Sequence, residues 1–208
     1  MILERVVVGP YQTNCYLLAK GKGSEAIIID PGSDADKIKN ALIKHSLKPS
    51  LVINTHGHFD HIGCDSDFNV PIYVHKLDLP LLGSPEKNLS SLVSSHVAVN
   101  DEANALRDGQ IIGVEGIKLE VIHTPGHTMG GVCLLVREPA AKKILFTGDT
   151  LFNCGIGRTD IAGSNPESLI ESIKKRIFSL PDNIAIFPGH GPSSTIGHEK
   201  MHLDLDTL

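Results

Sequence analysis

Thr55-His-Gly-His-Phe-Asp-His-Ile-Gly63 places three histidines and an aspartate, His56, His58, Asp60 and His61, within six consecutive residues. The stretch follows Leu51-Val-Ile-Asn54, a short apolar run that reads as a strand entering a turn. Imidazole and carboxylate are the ligands that hold zinc, iron or manganese, and a loop at a strand's end can aim several of them at one point. A lone histidine in such a place is most simply part of a polar turn. Four such side chains together point to a metal, provided distant parts of the chain supply the remaining ligands.

Three other segments share that form. Lys118–Ile122 runs into His123-Thr-Pro-Gly-His127, Lys143–Phe146 into Thr147-Gly-Asp149, and Ile184–Phe187 into Pro188-Gly-His190. Each is an apolar strand emptying into a tight turn that carries His or Asp. Ligands in α/β sheets gather at the carboxyl ends of strands, and glycine in such turns lets backbone approach closely. His123 precedes a ligand turn and is read as a residue that orients a ligand. His45, His75, His96, His198 and His202 are read as ordinary surface or strand-end histidines.

Around these turns the chain reads as α/β. Runs 2–8, 14–19 and 25–30 form an antiparallel meander, and Ser33 or Asp34 caps a helix over 35–47 with Ile38, Ala41, Leu42, Ile43 and Leu47 on one side. Val70–His75 is a strand, and 76 to about 96 holds short helices over the sheet or the site mouth. Strands follow at 110–113, 117–123, 131–137 and 143–147. Asn165 and Pro166 start a helix whose stripe is Leu169, Ile170, Ile173 and Ile177 and which Pro181 stops. Strand 184–187 and a last helix capped within Ser193–Thr195 complete the order.

A length of 208 residues suits one domain, 1–208, with a substantial core. The net charge of -5 gives no electrostatic case for nucleic acid or an anionic membrane. No apolar run approaches the ~20 residues that span a bilayer, and the start shows no basic leader with an apolar core. The cysteines, at 15, 64, 133 and 154, form no Cys-x-x-Cys; all are read as buried thiols of a reduced, cytoplasmic protein.

His-x-His-x-Asp-His at 56–61, with His127, Asp149 and His190 in glycine-flanked turns, resembles the metallo-β-lactamase superfamily over nearly the whole chain. The resemblance implies a four-layer αββα sandwich, two mixed sheets face to face with helices outside. It also implies two divalent metal ions at one rim: His56, His58 and His127 for one, Asp60, His61 and His190 for the other, and Asp149 between them. Zinc is the first expectation, with iron and manganese also compatible with nitrogen and oxygen ligands. Thr-Gly-Asp-Thr-Leu-Phe (147–152), Gly-Arg-Thr-Asp (157–160), Pro-Gly-His-Gly-Pro (188–192) and Thr-Ile-Gly-His-Glu-Lys (195–200) are similar to the glyoxalase II-like hydrolases within it. Full-length glyoxalase II has an extra C-terminal helical region that supplies much of its glutathione surface; the about 18 residues that follow His190 leave no room for it, so the metal chemistry is expected to carry over well and glutathione specificity only weakly.

The implied chemistry is hydrolysis of a small-molecule thioester, S-lactoylglutathione or a related acyl thiol. Metal ions lower the pKa of water from 15.7 to about 7 and stabilise the oxyanion. A thiolate, with a thiol pKa of ~8.5, leaves without an added proton. Asp60 and Asp149 are ligands first and proton handlers second, and Arg158 is the expected substrate-side cation or else a bridge to Asp160. The rival readings are a mononuclear iron persulfide dioxygenase of the same superfamily and a non-catalytic metal-binding protein; a zinc β-lactamase is less consistent, because Asp149 stands where many of those enzymes carry cysteine.

Overall fold

The computed structural model describes residues 1–93, 96–137 and 143–205. Its first sheet has six strands in spatial order β1 to β6: β1 (Ile2–Val8), β2 (Thr13–Ala19), β3 (Glu25–Ile29), β4 (Lys48–Ile53), β5 (Ile72–His75) and β6 (Ala103–Leu106). The β1, β2 and β3 strands form the expected antiparallel meander, and β3 to β6 then run parallel. The second sheet takes β7 (Ile111–Val114), β8 (Ile117–His123), β9 (Val132–Val136), β10 (Ile144–Gly148), β13 (Ala185–Pro188) and β14 (Ser194–Thr195), in the order β14-β13-β10-β9-β8-β7. A two-stranded ribbon, β11 (Leu151–Phe152) and β12 (Gly155–Ile156), stands apart.

Strand β2 shows why the layers stack as they do. All seven of its residues are buried, because alternate side chains enter different cores. Tyr16 and Leu18 join Ile27, Ile29 and Ile53 against Leu119, Val121, Leu134 and Phe146, which closes the space between the two sheets. Cys15, Leu17 and Ala19 point the other way, toward Ile38 and Leu42 of helix α1 (Ala35–Lys44). On the outer face of the second sheet, Leu145 and Ile186 meet Leu169, Ile173 and Ile177. Those three come from helix α4 (Pro166–Ser172) and the π-helical turn Ile173–Ile177 that continues it. The result is the four-layer αββα sandwich.

Between the strands lie two one-turn helices, α2 (Phe59–Ile62) and α3 (Leu79–Leu82), and a last helix, α5 (Ile196–His202), follows β14. Asn165 caps α4, its side chain accepting from Ser168 N at 2.7 Å, and Thr195 caps α5 in the same way through His198 N. The parallel relation of β10 to β13, with β9 antiparallel to both β8 and β10, brings the carboxyl ends of β8, β10 and β13 to one rim. The start of β2 reaches that rim too: Thr13 bridges His190, and Asn14 N donates to Gly189 O at 2.7 Å.

Several expectations shift. Helix α1 ends at Lys44, since Ser46 adopts a left-handed conformation (φ 55), and Ile43 faces solvent at 73% exposure. Asp34 precedes the helix but does not cap it; its carboxylate accepts from Gly9 N at 3.1 Å and from Lys37. The 76–96 stretch holds α3 and a 3-10 turn at Ser90–Val93, while Ser94 and Ser95 lie outside the described residues. Strand β6 was not expected; it is an edge strand with Asn104 and Ala105 exposed. Cys15, Cys64 and Cys133 are buried, whereas Cys154 is exposed at the tip of the β11–β12 ribbon. Replacing Asn165 by Ala removes the cap of the helix that covers the second sheet, and should lower stability by about 1 kcal/mol. Urea denaturation checks this: the midpoint should fall with an unchanged m-value.

Candidate metal centre

Strand β4 delivers Thr55, His56 and His58 to the rim, and α2 then turns Asp60 and His61 in from a helical turn. The loop after β8 brings His127, the end of β10 brings Asp149, and the end of β13 brings His190. All seven expected side chains therefore meet at one place. His56, His58 and His127 form one group of converging donor atoms, Asp60, His61 and His190 a second, and His56, His61 and Asp149 a third that joins them, each set within 4.8 Å of one another.

Distances inside the cluster are short for like groups. His58 Nδ1 lies 2.9 Å from His127 Nε2, and His61 Nε2 lies 3.3 Å from His190 Nε2. Asp149 Oδ2 is 3.5 Å from both His127 Nε2 and His190 Nε2, and its Oδ1 is 3.4 Å from His61 Nε2. Asp60 Oδ2 sits 3.3 Å from His190 Nε2 and accepts from the Thr13 hydroxyl at 3.0 Å.

The neighbours set which ring nitrogen faces inward. Thr55 Oγ1 donates its one hydrogen to Asp30 Oδ2 at 2.7 Å, so at 3.2 Å it must accept from His56 Nδ1–H. That leaves the His56 Nε2 lone pair inward, buried and without a hydrogen-bond partner among the described residues. His127 Nδ1 donates to Arg158 O at 2.9 Å, and His190 Nδ1 donates to Tyr11 O at 3.0 Å. His61 Nδ1 lies 3.0 Å from Asp30 Oδ2, off the line of a straight hydrogen bond. Such outer contacts fix tautomer and ring orientation in metal sites.

Two glycines make the approach possible. A Cβ on Gly189 would lie 2.2 Å from Asp149 Oδ1 and 2.7 Å from His61 Cε1. Gly148, at φ +47, lets β10 turn against Thr55, whose hydroxyl would be 2.4 Å from a Cβ there.

The electrostatics divide the histidines. Burial, with His61 and His58 nearby, pushes the His56 imidazole well below its ordinary value. Burial and His127 bring His58 down to about 3. Burial acts on His61 too, but Asp60, Asp149 and Asp30 outweigh it and raise that ring to about 9. Hydrogen bonding to Asp149 and Asp60 likewise overcomes burial at His190 and raises it to about 11. Asp149 is itself buried, and the surrounding imidazoles His61, His190, His56 and His127 still hold its carboxyl well below the usual range. The donor set thus offers neutral imidazole nitrogens at His56 and His58 beside two ionised carboxylates, the chemistry that divalent cations take. Divalent metal ions fit that set, and the unpartnered His56 Nε2 and Asp149 Oδ1 are the buried atoms they would satisfy.

Arg158 borders the cleft, but its side chain is 64% exposed and paired with Asp160 at 2.7 and 2.8 Å. Its carbonyl, which orients His127, does more at the centre than its guanidinium. His123 stacks on His75 with ring centroids 4.1 Å apart and reaches Met129 O at 2.9 Å, so it braces the His127 loop and stays outside the donor set.

Two carboxylates with no histidine motif beside them complete the frame. Asp30, at a left-handed φ of 53, takes Thr55 N and Thr55 Oγ1, both at 2.7 Å. Asp78 accepts from Gly57 N (2.9 Å), Thr128 Oγ1 (2.7 Å) and Gly130 N (2.7 Å), tying the 56–61 segment to the His127 loop.

The family model of the metallo-beta-lactamase superfamily matches residues 8–190. The chain belongs to the metallo-beta-lactamase superfamily. A hydroxyacylglutathione hydrolase, GloC of Haemophilus influenzae, is 35% identical over 206 residues, covering 96% of this chain and 95% of that protein. Among solved structures, the B3 metallo-beta-lactamase BLEG-1 superposes with a TM-score of 0.88 at 35% identity, covering 97% of both chains. TTHA1623 in a di-iron-bound form superposes with a TM-score of 0.82 at 33% identity, covering 96% of this chain and 98% of its own.

Asp78→Ala would leave Gly57 N and Gly130 N without their acceptor in a buried place. Its metal affinity, measured by competition with a chelator, should fall about 10–100-fold, as for other residues that position metal ligands.

Proposed function

We propose that the protein hydrolyses thioesters at a centre of two divalent metal ions, in the manner of the glyoxalase II-like branch of its superfamily. The observation that carries this reading is the joined pair of donor groups, with Asp149 between them. The similarity to a protein named as a hydroxyacylglutathione hydrolase supports the substrate class. His56, His58 and His127 would hold one ion and Asp60, His61 and His190 the other, with Asp149 shared. Zinc is the first choice, and the di-iron form of a similar protein keeps iron in view. Four free thiols agree with a reduced, cytoplasmic setting.

Ions held there supply a nucleophile from water at neutral pH and Lewis acidity toward a carbonyl. The chain's own part is to fix the site. Asp30, Tyr11 and Arg158 O hold imidazole rings so that their inward nitrogens carry lone pairs, and Asp60 and Asp149 provide the negative charge that retains the cations. Leu89, Phe152, Ile156 and Ile161 wall the cleft above them and limit water. In the reaction an oxygen of water bonds to the acyl carbon, the carbon–sulfur bond breaks, and sulfur leaves with the electron pair. A thiolate needs no proton to depart, whereas an amide nitrogen does, which favours thioesters over lactams at a cleft whose carboxylates are committed to ligation.

The BLEG-1 similarity gives lactam hydrolysis a specific place as a second reading. Metal analysis of native protein with a panel of S-lactoylglutathione, other acyl thioesters and a β-lactam decides between them. The proposal expects two metals per chain and thioester turnover that a chelator abolishes and added zinc, manganese or iron restores. Asp149→Ala should lose more than about 100-fold in rate, beyond the range for residues that only position ligands. One iron per chain with oxygen uptake on glutathione persulfide would replace the proposal with a dioxygenase, and bound metal with no turnover of any substrate would leave a binding protein.

A further inference from the structure

The space above the metal centre is double. One chamber, about 370 Å³, opens on His58, His127, Asp149 and His190. A second, about 290 Å³, is bounded by Val8, Pro10, Val93 and Val97, with Thr13 and Ser33 as its uncharged polar residues. The two meet at Tyr11, Phe59 and Asp60, which border both. Tyr11 and Phe59 stand edge to face with centroids 5.2 Å apart, so an aromatic pair forms the wall that the two chambers share. The acid on that shared wall, Asp60, belongs to the donor set.

Away from the donor set, cationic side chains are scarce along both chambers. Arg158 is the one Lys or Arg among the described residues that line them, and Asp160 already holds its guanidinium through two hydrogen bonds. Among the described residues the second chamber offers no cation, and the Thr13 hydroxyl is engaged with Asp60. The walls of the second chamber reward apolar surface and give a carboxylate nothing to pair with.

We propose that the second chamber receives the acyl chain of the substrate, so that the protein prefers thioesters of medium-length, unbranched fatty acyl groups to those of polar hydroxyacids. The inference rests on the thioester reading above and names its substrate class. An apolar cavity of about 150 Å³ accommodates the six carbons of benzene, so this chamber, at about 290 Å³, has room for a chain of at least roughly six to eight carbons. A chain lying there enters beside Asp60, which puts its carbonyl at the donor set and leaves the thiol half in the first chamber. The thiol carrier is then held mostly by contact with Leu89, Phe152 and Ile161, without a carboxylate clamp.

The test uses the metal-loaded, full-length protein and a series of N-acetylcysteamine thioesters from acetyl to decanoyl, with S-lactoylglutathione alongside. Expected is a kcat/KM that rises about three- to fourfold per methylene, peaks at roughly six to eight carbons, and exceeds that for S-lactoylglutathione at the peak. Val97→Trp, which fills the chamber, should move the peak at least two carbons shorter. Calorimetry with the matching S-alkyl-N-acetylcysteamine thioethers gives a second reading that needs no turnover: affinity should climb with alkyl length and lose that dependence in Val97→Trp. Thioester hydrolysis with a flat profile, or with S-lactoylglutathione preferred, would overturn the acyl chamber and leave the hydrolase reading intact. Chain-length-dependent binding of thioethers without hydrolysis of any thioester would overturn the hydrolase reading and leave the chamber. The wild-type profiles decide the matter even if Val97→Trp fails to fold.

Discussion

Five imidazoles and two carboxylates gathered at one rim, several of them closed to water, form an arrangement that is tenable only around positive charge. His58 Nδ1 and His127 Nε2 cannot both present lone pairs to each other at 2.9 Å with nothing between them. Asp149 and Asp60 cannot remain ionised in that setting without cations beside them. Protons on His61 and His190 meet the demand in part, but burial denies the same remedy to His56 and His58. Divalent ions would meet it for the whole set. Much of the molecule follows from holding these groups in place against their mutual repulsion.

The sandwich performs that holding from outside the cluster. Asp30, at the end of β3, fixes Thr55 and through it the His56 tautomer, and the same carboxylate lies against His61. Asp78 ties the first ligand segment to the second. On the second sheet, parallel β10 and β13 set Asp149 and His190 side by side, with Gly189 leaving room for the carboxylate. Tyr16, packed between the sheets, donates to Pro188 O at 2.7 Å and so anchors the His190 turn to the core.

The turns whose His and Asp converge at the rim were legible in the sequence because each is a short apolar strand followed within a few residues by His or Asp and glycine, a local pattern. Sheet order and the αββα layering came through the family resemblance; periodicity alone shows strands and helices without their neighbours. Ile43 stands five residues after Ile38, about 140° round a helix of 3.6 residues per turn, so the face that buries Ile38 and Leu42 leaves it in water. Strand β6, Ala-Asn-Ala-Leu, is a short edge strand with no β-branched or aromatic residue to mark it. Asp30 and Asp78 escaped notice since their roles depend on partners 21 to 52 residues away, which no local window contains. Arg158 was singled out for its charge, while the atom that matters at the centre is its carbonyl oxygen.

The claim beneath all of this is that seven side chains share two metal ions. Anomalous diffraction from crystals of the metal-loaded protein, collected at the absorption edge of the bound metal, addresses it most directly. The account predicts two peaks, one at bonding distance from His56, His58 and His127 and one from Asp60, His61 and His190, with Asp149 reaching both. A single peak, or a second that engages neither Asp60 nor Asp149, would contradict it.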